Sequence, residues 1–322
     1  MRLAAILLCA VALLAPGLAS AQAWPVKPIR LVVATGPGLS PDIMARILAD
    51  GVSKTLGQAV VVENIAGAAG MIGAQNVARS AANGYTFYLA SSSTFTSNIY
   101  MYKSLPYDPV NDFTAVAMVV DTAPFVFSVH PDVPAKTLPE LIGYVKANPG
   151  KLSYAIDSSS GSASIAGRLL AKRAGLDIVQ VGYKSIAQAL QDTSAGRTQM
   201  IVTSITSVEQ QWRRGALRPI ALTSANRVPG SEDIALTKDT IPGFQLDGWF
   251  AMMAKAGTPP EPITRFNRDI NQFLENPDLI QKMRGLGLFL SRTRAPAESV
   301  EFVRAEQDRW KKLAVELDLQ PQ

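Results

Sequence analysis

The residues whose spacing carries the most chemistry are Gly38-Leu39-Ser40-Pro41-Asp42, which join an apolar, β-branched run, Ile29 to Val33, to a helical pattern. Ser40 suits an N-cap, where its hydroxyl satisfies a free backbone N–H. Pro41 suits the first helical turn, where its missing N–H costs nothing, and Asp42 complements the positive end of the helix dipole. Ile43, Met44, Ile47 and Leu48 follow at helical spacing. A strand, a tight glycine turn and a helix start together aim backbone N–H groups at an anion. The arrangement recurs: Leu152 to Ile156 is strand-like, Asp157-Ser158-Ser159-Ser160-Gly161-Ser162-Ala163-Ser164 a polar loop, and Ile165 to Ala174 a helix stopped by Gly175. Most βα units contain one such turn. Two of them, serine-rich and in different halves of the chain, predict two helix N-termini facing a shared cleft.

Other chemistries fit poorly. Ser40 on a strand-to-helix turn invites a nucleophile elbow, but Asp42 replaces the second glycine and Pro41 has no N–H to offer an oxyanion. The chain has one histidine, His130, in a strand-end sequence resembling a surface turn, and no Ser-x-x-Lys spacing. One histidine, one cysteine and no Asp-x-Asp-x-Asp loop leave little for a metal. Gly67-x-x-Gly70-x-x-Gly73 departs from the dinucleotide fingerprint; tight backbone packing at a helix start explains it better. Lys184, after a strand and before a helix, either meets an anionic ligand or is simply exposed. Trp249-Phe250 either wall a pocket or pack a strand.

The elements that position these turns alternate. Strands are expected at Ile29–Val33, Ala59–Glu63, Thr86–Ala90, Ala115–Val120, Phe125–His130, Leu152–Ile156, Ile178–Val181, Met200–Thr203, Arg218–Leu222 and Gly248–Met253, with helices at 41–55, 70–81, 137–147, 165–174, 185–195 and 206–214. That pattern implies parallel sheets with crossover helices. Helices dominate after Pro260, with apolar stripes Ile263, Phe266, Ile270, Phe273 and Val303, Trp310, Ala314, Leu317, and with Asn276-Pro277 as a cap and first turn between them.

The first residues have the form of a secretory leader: Arg2, the apolar run Leu3 to Leu14, and Ala19-Ser20-Ala21 before the cleavage point. Removal of 1–21 takes away Cys9, and with it any disulfide, and lowers the formal charge from +5 by the one unit of Arg2. This mild excess suits anionic solutes and is no nucleic-acid footprint. The basic clusters Arg213-Arg214, Arg292 with Arg294, and Arg309 with Lys311-Lys312 are explained by solvated helix faces. A chain of this length accommodates two domains.

Taken together, Trp24-Pro25-x-Lys27-Pro28-Ile29-Arg30, the Pro37-Gly38 turn with Asp42, Val61-Val62-Glu63-Asn64 with Gly67, Asn83-Gly84-Tyr85-Thr86, Leu105-Pro106-Tyr107-Asp108-Pro109, Asn148-Pro149-Gly150-Lys151-Leu152, Tyr183-Lys184 and Ala256-Gly257-Thr258-Pro259 resemble the Bug (TctC-type) extracytoplasmic solute receptors of tripartite tricarboxylate transporters. The resemblance implies an α/β, two-lobed fold of the type II periplasmic-binding-protein kind, each lobe a sheet flanked by helices. Lobe 1 would be 24–124 plus 224–322 and lobe 2 125–223, with a small carboxylate held between them. It implies a periplasmic, non-enzymatic, monomeric receptor without a cofactor that hands its ligand to membrane transporter subunits and binds no nucleic acid. A sensory protein presenting the ligand to a signalling receptor is the alternative, ahead of a secreted serine hydrolase. The ligand-binding set implied is Gly38, Leu39, Ser40, Pro41 and Asp42; Ser91, Ser92 and Ser93; Ser158, Ser159, Ser160, Gly161, Ser162 and Ser164; Tyr183 and Lys184; and Thr203 and Ser204. The chain departs from the family in three places. Leu39-Ser40-Pro41 intrude on a glycine-rich turn, Ser164 stands where a histidine is common, and Thr203 stands where an aspartate is common.

Overall fold

The computed structural model describes residues 24–156, 161–183 and 185–321. The expected leader, the loop residues Asp157, Ser158, Ser159 and Ser160, and Lys184 lie outside the described residues. In chain order the elements are β1 (Ile29–Val33), α1 (Ser40–Leu56), β2 (Val60–Asn64), α2 (Met71–Ala78), β3 (Thr86–Ser91), the short helices α3 (Ser92–Phe95) and α4 (Ser97–Met101), and β4 (Phe113–Val129). There follow α5 (Leu138–Ala147), β5 (Ser153–Ile156), α6 (Ser162–Ala174), β6 (Val179–Gly182), α7 (Ile186–Ser194), β7 (Met200–Ser204), α8 (Ile205–Arg213) and β8 (Arg218–Leu222). The chain ends with β9 (Ala235–Leu236), α9 (Thr237–Thr240), β10 (Asp247–Lys255), α10 (Pro260–Leu274), α11 (Pro277–Gly285), β11 (Phe289–Leu290) and α12 (Pro296–Glu316).

The expected strands and helices recur with shifts of a few residues, and one expectation fails. Ala115–Val120 and Phe125–His130 are not two strands but parts of the single strand β4, 17 residues long. Pro124 lacks an N–H and ordinarily marks a strand end. Here it sits where β4 changes partners: Phe113 to Pro124 pair with β10, and Phe125 to Val129 pair with β7. β4 thus joins two half-sheets, with order β2-β1-β3-β10-β4-β7-β5-β6. β1 is parallel to β2 and β3, and β5 is parallel to β6 and β7, as crossover helices require. β10 and β4 run antiparallel to their neighbours, so the sheet is mixed rather than parallel throughout.

Helical spacing explains the packing. α1 buries Met44, Leu48 and Val52 on one face, and Gly51 lets α10 approach; a Cβ there would lie 2.2 Å from the Phe273 ring. The α10 stripe is buried at Phe266 and Ile270, and the α12 stripe at Val303, Trp310, Ala314 and Leu317. α12 straddles the halves. Val303 packs with Tyr88 and Trp249, while Trp310, Leu313 and Leu317 join the core of Tyr154, Leu169 and Phe244. Of the basic clusters, Arg213, Arg292 and Arg309 pair with helix-face carboxylates. Arg294 instead is mostly buried, forking onto Asp121 of β4 at 2.8 and 3.0 Å with Phe302 beneath it. No helix among the described residues is long and apolar enough to cross a membrane.

Candidate functional site

A cleft opens at the carboxyl ends of the parallel strands, where ligands of open α/β sheets bind. It has two compartments that share Ser91, Ser93, Gly161 and Phe250. The first, of about 480 Å³, is lined by Val33 to Thr35 beyond β1, Leu39 and Pro41, the Gly67–Gly70 turn, and Asn98. The second, of about 270 Å³, lies between Ser40, Ser92, Ser162, Ser204 and Thr206 and the apolar side chains of Phe125, Phe250 and Leu288. The centre of β4 passes behind it through Ala123 and Phe125. No charged side chain among the described residues lines either compartment.

Helix N-termini supply the missing charge. α1, α2, α6 and α8 begin at the cleft with Leu39, Gly70, Gly161 and Ser204 at their cap positions, and among the described residues none of the four has a side-chain cap hydrogen bond. An uncapped start leaves backbone N–H groups without intrahelical acceptors, and the aligned peptide dipoles place roughly half a positive charge there. Two starts come from each half of the chain.

The first turn departs from its expected chemistry at one residue. Ser40 is not the cap: it is the first helical residue, Leu39 holds the cap position with extended backbone, and Pro41 is in the first turn. Leu39 is 56% exposed at the rim. Asp42 is buried and turns away from the cleft, its Oδ2 accepting from Gly38 N at 2.8 Å and from Arg46 Nε at 3.1 Å, and its Oδ1 accepting from Asn64 Nδ2 at 2.9 Å. The Arg46 guanidinium, then the Gly38 N–H and Asn64 amide, outweigh burial and hold the Asp42 carboxyl at about 2. Asp42 therefore shapes the turn, and Gly38, with φ +82°, spends its N–H on that carboxylate.

The serines divide in the same way. Ser91, Ser92, Ser93, Gly161, Ser162 and Ser204 line the cleft. Ser91 Oγ lies 3.1 Å from both Ser93 Oγ and Thr94 Oγ1. The helix expected from Ile165 starts at Ser162, so Ser164 lies in its first turn, fully buried, its hydroxyl donating to Gln180 Oε1 at 3.1 Å. Thr203 is buried within β7 opposite Val126. Tyr183 lines neither compartment; it packs against the cluster of Ala189 and Leu190, where burial first and then Asp192 raise its hydroxyl pKa.

Beyond lining residues such as Phe125, Thr206 and Leu288, sequence reasoning missed the Gly67–Gly70 turn and Asn98. Gly67, Ala68, Ala69 and Gly70 all take positive φ, at 126°, 46°, 51° and 85°. Gly67, Ala69 and Gly70 line the first compartment, while tight packing is clearest at Gly73, whose Cβ would lie 2.9 Å from Ala34 Cβ and 3.0 Å from Ile65 O. Two alanines in the left-handed region cost about 1–3 kcal/mol each, a strain that clusters at ligand sites. Asn98 pins the turn, its Nδ2 donating to Ala69 O at 3.1 Å, while its Oδ1 and Thr35 Oγ1 are buried without partners. Of Trp249 and Phe250, the first is buried, donating to Glu306 Oε2 at 3.2 Å, and also borders the second compartment, while the second forms the waist between the compartments. His130 lies at the far end of β4, where its Nδ1 accepts from Asp132 N.

Comparison with known proteins agrees with this geometry. The family model of the tripartite tricarboxylate transporter family receptor, TctC, matches residues 44–319. Protein BugT of Bordetella pertussis is 34% identical over 298 residues, covering 90% of this chain and 89% of that one. Among solved structures, R. palustris Rpa4515 with adipate superposes with TM-score 0.82 at 30% identity over 93% of this chain and all of that one. MatC from Rhodopseudomonas palustris with bound malate gives TM-score 0.76 at 26% identity over 90% and 99%. The α/β, helix-flanked sheet is that of the periplasmic binding proteins, and this chain belongs to the TctC receptor family of tripartite tricarboxylate transporters.

Proposed function

We propose that this chain is a periplasmic receptor that captures a small carboxylate without an amine group and delivers it to a membrane transporter, with no chemical step of its own. The observation that carries this reading is the set of four uncapped helix starts around an uncharged cleft. Such a site neutralises an anion with backbone N–H groups and hydroxyls. Micromolar capture needs about −8 kcal/mol. Charged hydrogen bonds contribute roughly 1.5–3 kcal/mol each, so several of them reach that range after ordering costs. An ammonium enclosed here would have no counter-charge among the described residues, at a cost of several kcal/mol. The adipate and malate of the solved relatives, both acids without an amine, support this ligand class.

In this reading the leader 1–21 is removed on export, and the mature protein acts as a monomer. The lobes divide at about residues 124 and 224, where β4 changes partners and Thr223 N–H donates to Phe125 O. The last turns of α12 bridge both lobes. Closure of the lobes on the ligand is the signal that a transporter reads. A thermal-shift panel of acids paired with their amides tests the reading. A ligand that binds only the folded state adds about 2.7 kcal/mol at a hundredfold excess over Kd. Succinate and benzoate should stabilise the protein, while their amides should not and aspartate should lag. Equal shifts within the pairs, or aspartate strongest, would overturn it.

A further inference from the structure

A further hollow, open to solvent and of about 650 Å³, lies beside α6, β5 and β6. Its polar wall carries Arg168 and Lys172 from one face of α6, Gln180 from β6 and Tyr154 from β5; Met101 at the end of α4 and Leu317 beyond α12 form its apolar side. The two cations are four residues apart on one helix, a like-charge spacing that repels. Neither is in an ion pair among the described residues, although Lys172 helps lower the Glu316 carboxyl, onto which the neighbouring Arg173 forks at 2.7 and 2.9 Å.

Gln180 adds a third donor, and its orientation is set by the structure. Its Oε1 accepts from the Tyr154 hydroxyl at 2.6 Å and from Ser164 Oγ at 3.1 Å. With Oε1 engaged by both hydroxyls, Nε2 has no acceptor among the described residues and is left to donate. No acidic side chain lines the hollow. A donor-only polar wall facing an apolar wall, at a volume typical of ligand sites, matches one kind of occupant.

We infer that this hollow is a second binding site, distinct from the cleft, for an amphipathic organic anion: a carboxylate or sulfonate head held by Arg168, Lys172 and Gln180, with an apolar body against Met101 and Leu317. The walls come from α6 and β6 on one side and from the ends of α4 and α12 on the other. The N-terminus of α6 opens on the cleft and its C-terminal half on this hollow, so an occupant here bears on both halves of the molecule.

Calorimetric titration of the full mature chain with decanoate, with decanamide as the uncharged control, tests the site. The expected result is one equivalent of decanoate bound, no binding of decanamide, and affinity lowered about tenfold or more by the pair Arg168→Glu and Lys172→Glu, the loss of one charged hydrogen bond or more. Gln180→Glu is near-isosteric and exposed, keeps the acceptor for Tyr154, and should weaken decanoate comparably; it decides the matter if the double variant fails to fold. Decanoate should still bind when Gly161→Asp blocks the cleft, and stabilisation by short acids should persist in the Arg168 and Lys172 variant. Equal decanoate affinity in wild type and Gln180→Glu, equal binding of decanamide, no binding at all, or loss of binding only in Gly161→Asp would each overturn the inference. None of these outcomes depends on whether short acids bind the cleft.

Discussion

Two populations of helix start coexist in this molecule. At the cleft, α1, α2, α6 and α8 begin without a side-chain cap. Away from it, Thr137 caps α5 by accepting from Glu140 N, Ser185 caps α7 through Gln188 N, and Asn276 caps α11 through Asp278 N and Leu279 N. Glu298 reaches back to Ala295 N at the start of α12. By the measure applied at the cleft, α10 and α12 also lack a side-chain cap among the described residues, and Glu261 occupies the first turn of α10. A cap adds about 1 kcal/mol of stability. Where the chain omits it, the helix starts border one cleft that no charged side chain among the described residues lines, which leaves their N–H groups free for the ligand proposed above. The largest test converts one population into the other. Gly161→Asp places a capping carboxylate where both compartments meet, at a backbone conformation (φ −68°) open to any L-residue. Affinity for a short acid should fall about a hundredfold, equivalent to roughly 2.7 kcal/mol, while the melting temperature holds or rises. Unchanged affinity in calorimetry would show that this helix start does not receive the ligand.

A pair of buried aspartates repeats the contrast in a sharper form. Asp42 receives donors from Arg46, Gly38 and Asn64 and stays ionised down to about 2. Asp247, at the first position of β10 opposite Pro124, has an Oδ1 with no hydrogen-bond partner within bonding distance among the described residues, the Ala225 N–H exerting only a weak pull on the carboxyl. Burial pushes it up to about 6, against the smaller opposing effects of Gln245 and Arg309 and with Glu306 adding to the rise. Asp247 binds its proton more tightly in the folded chain than at the ordinary 3.8. Its contribution is therefore complete below 3.8 and is lost as pH rises through about 6; for Asp42 the sign is opposite, with stability present above 3.8 and lost as pH falls through about 2. Asp247→Asn removes the cost of ionising a buried group. The variant should gain about 1–3 kcal/mol over wild type at neutral pH and little near pH 4. Urea unfolding across that range measures it; a pH-independent difference would refute the assignment.

Much of this was legible in the residues, and the misses have physical causes. Asn276-Pro277 announced its cap because the side chain is used locally, as the hydrogen bonds to Asp278 N and Leu279 N confirm. Ser40 has the same residue-level signature and makes no cap, because its backbone has already entered the helix. Local sequence does not distinguish a serine that caps from one whose hydroxyl is left to the cleft. Pro124 ordinarily marks a strand end, and the exchange of partners at that residue lets β4 run through it, which the local pattern of two short strands does not show. The left-handed Ala68-Ala69 turn was invisible, since alanine gives no hint of positive φ and the turn is held from a distance by Asn98. Tyr183 enters the ligand set through the resemblance alone, and its side chain packs against the apolar cluster of α7 and lines neither compartment.

The smallest effect completes the contrast from the other side. If cap omission is a device of the cleft, then removing caps elsewhere should cost stability alone. Thr137→Ala deletes the acceptor for Glu140 N at 3.3 Å and leaves Glu140 bonded to Lys136 N at 2.7 Å, so half of a reciprocal capping pair survives. Asn276→Ala deletes both bonds at the start of α11 and leaves Pro277 and Asp278 in place. Each change should lower unfolding free energy by about 0.5–2 kcal/mol, with Asn276→Ala the larger. Neither residue lines the cleft, so affinity for a short acid should stay within experimental error. The discriminating outcome is α11, because the loop after it, Leu286 to Leu288, walls the second compartment. A loss of affinity in Asn276→Ala matching its loss of stability would mean that this wall is positioned by the outward cap. The two populations of helix start would then be coupled rather than separate.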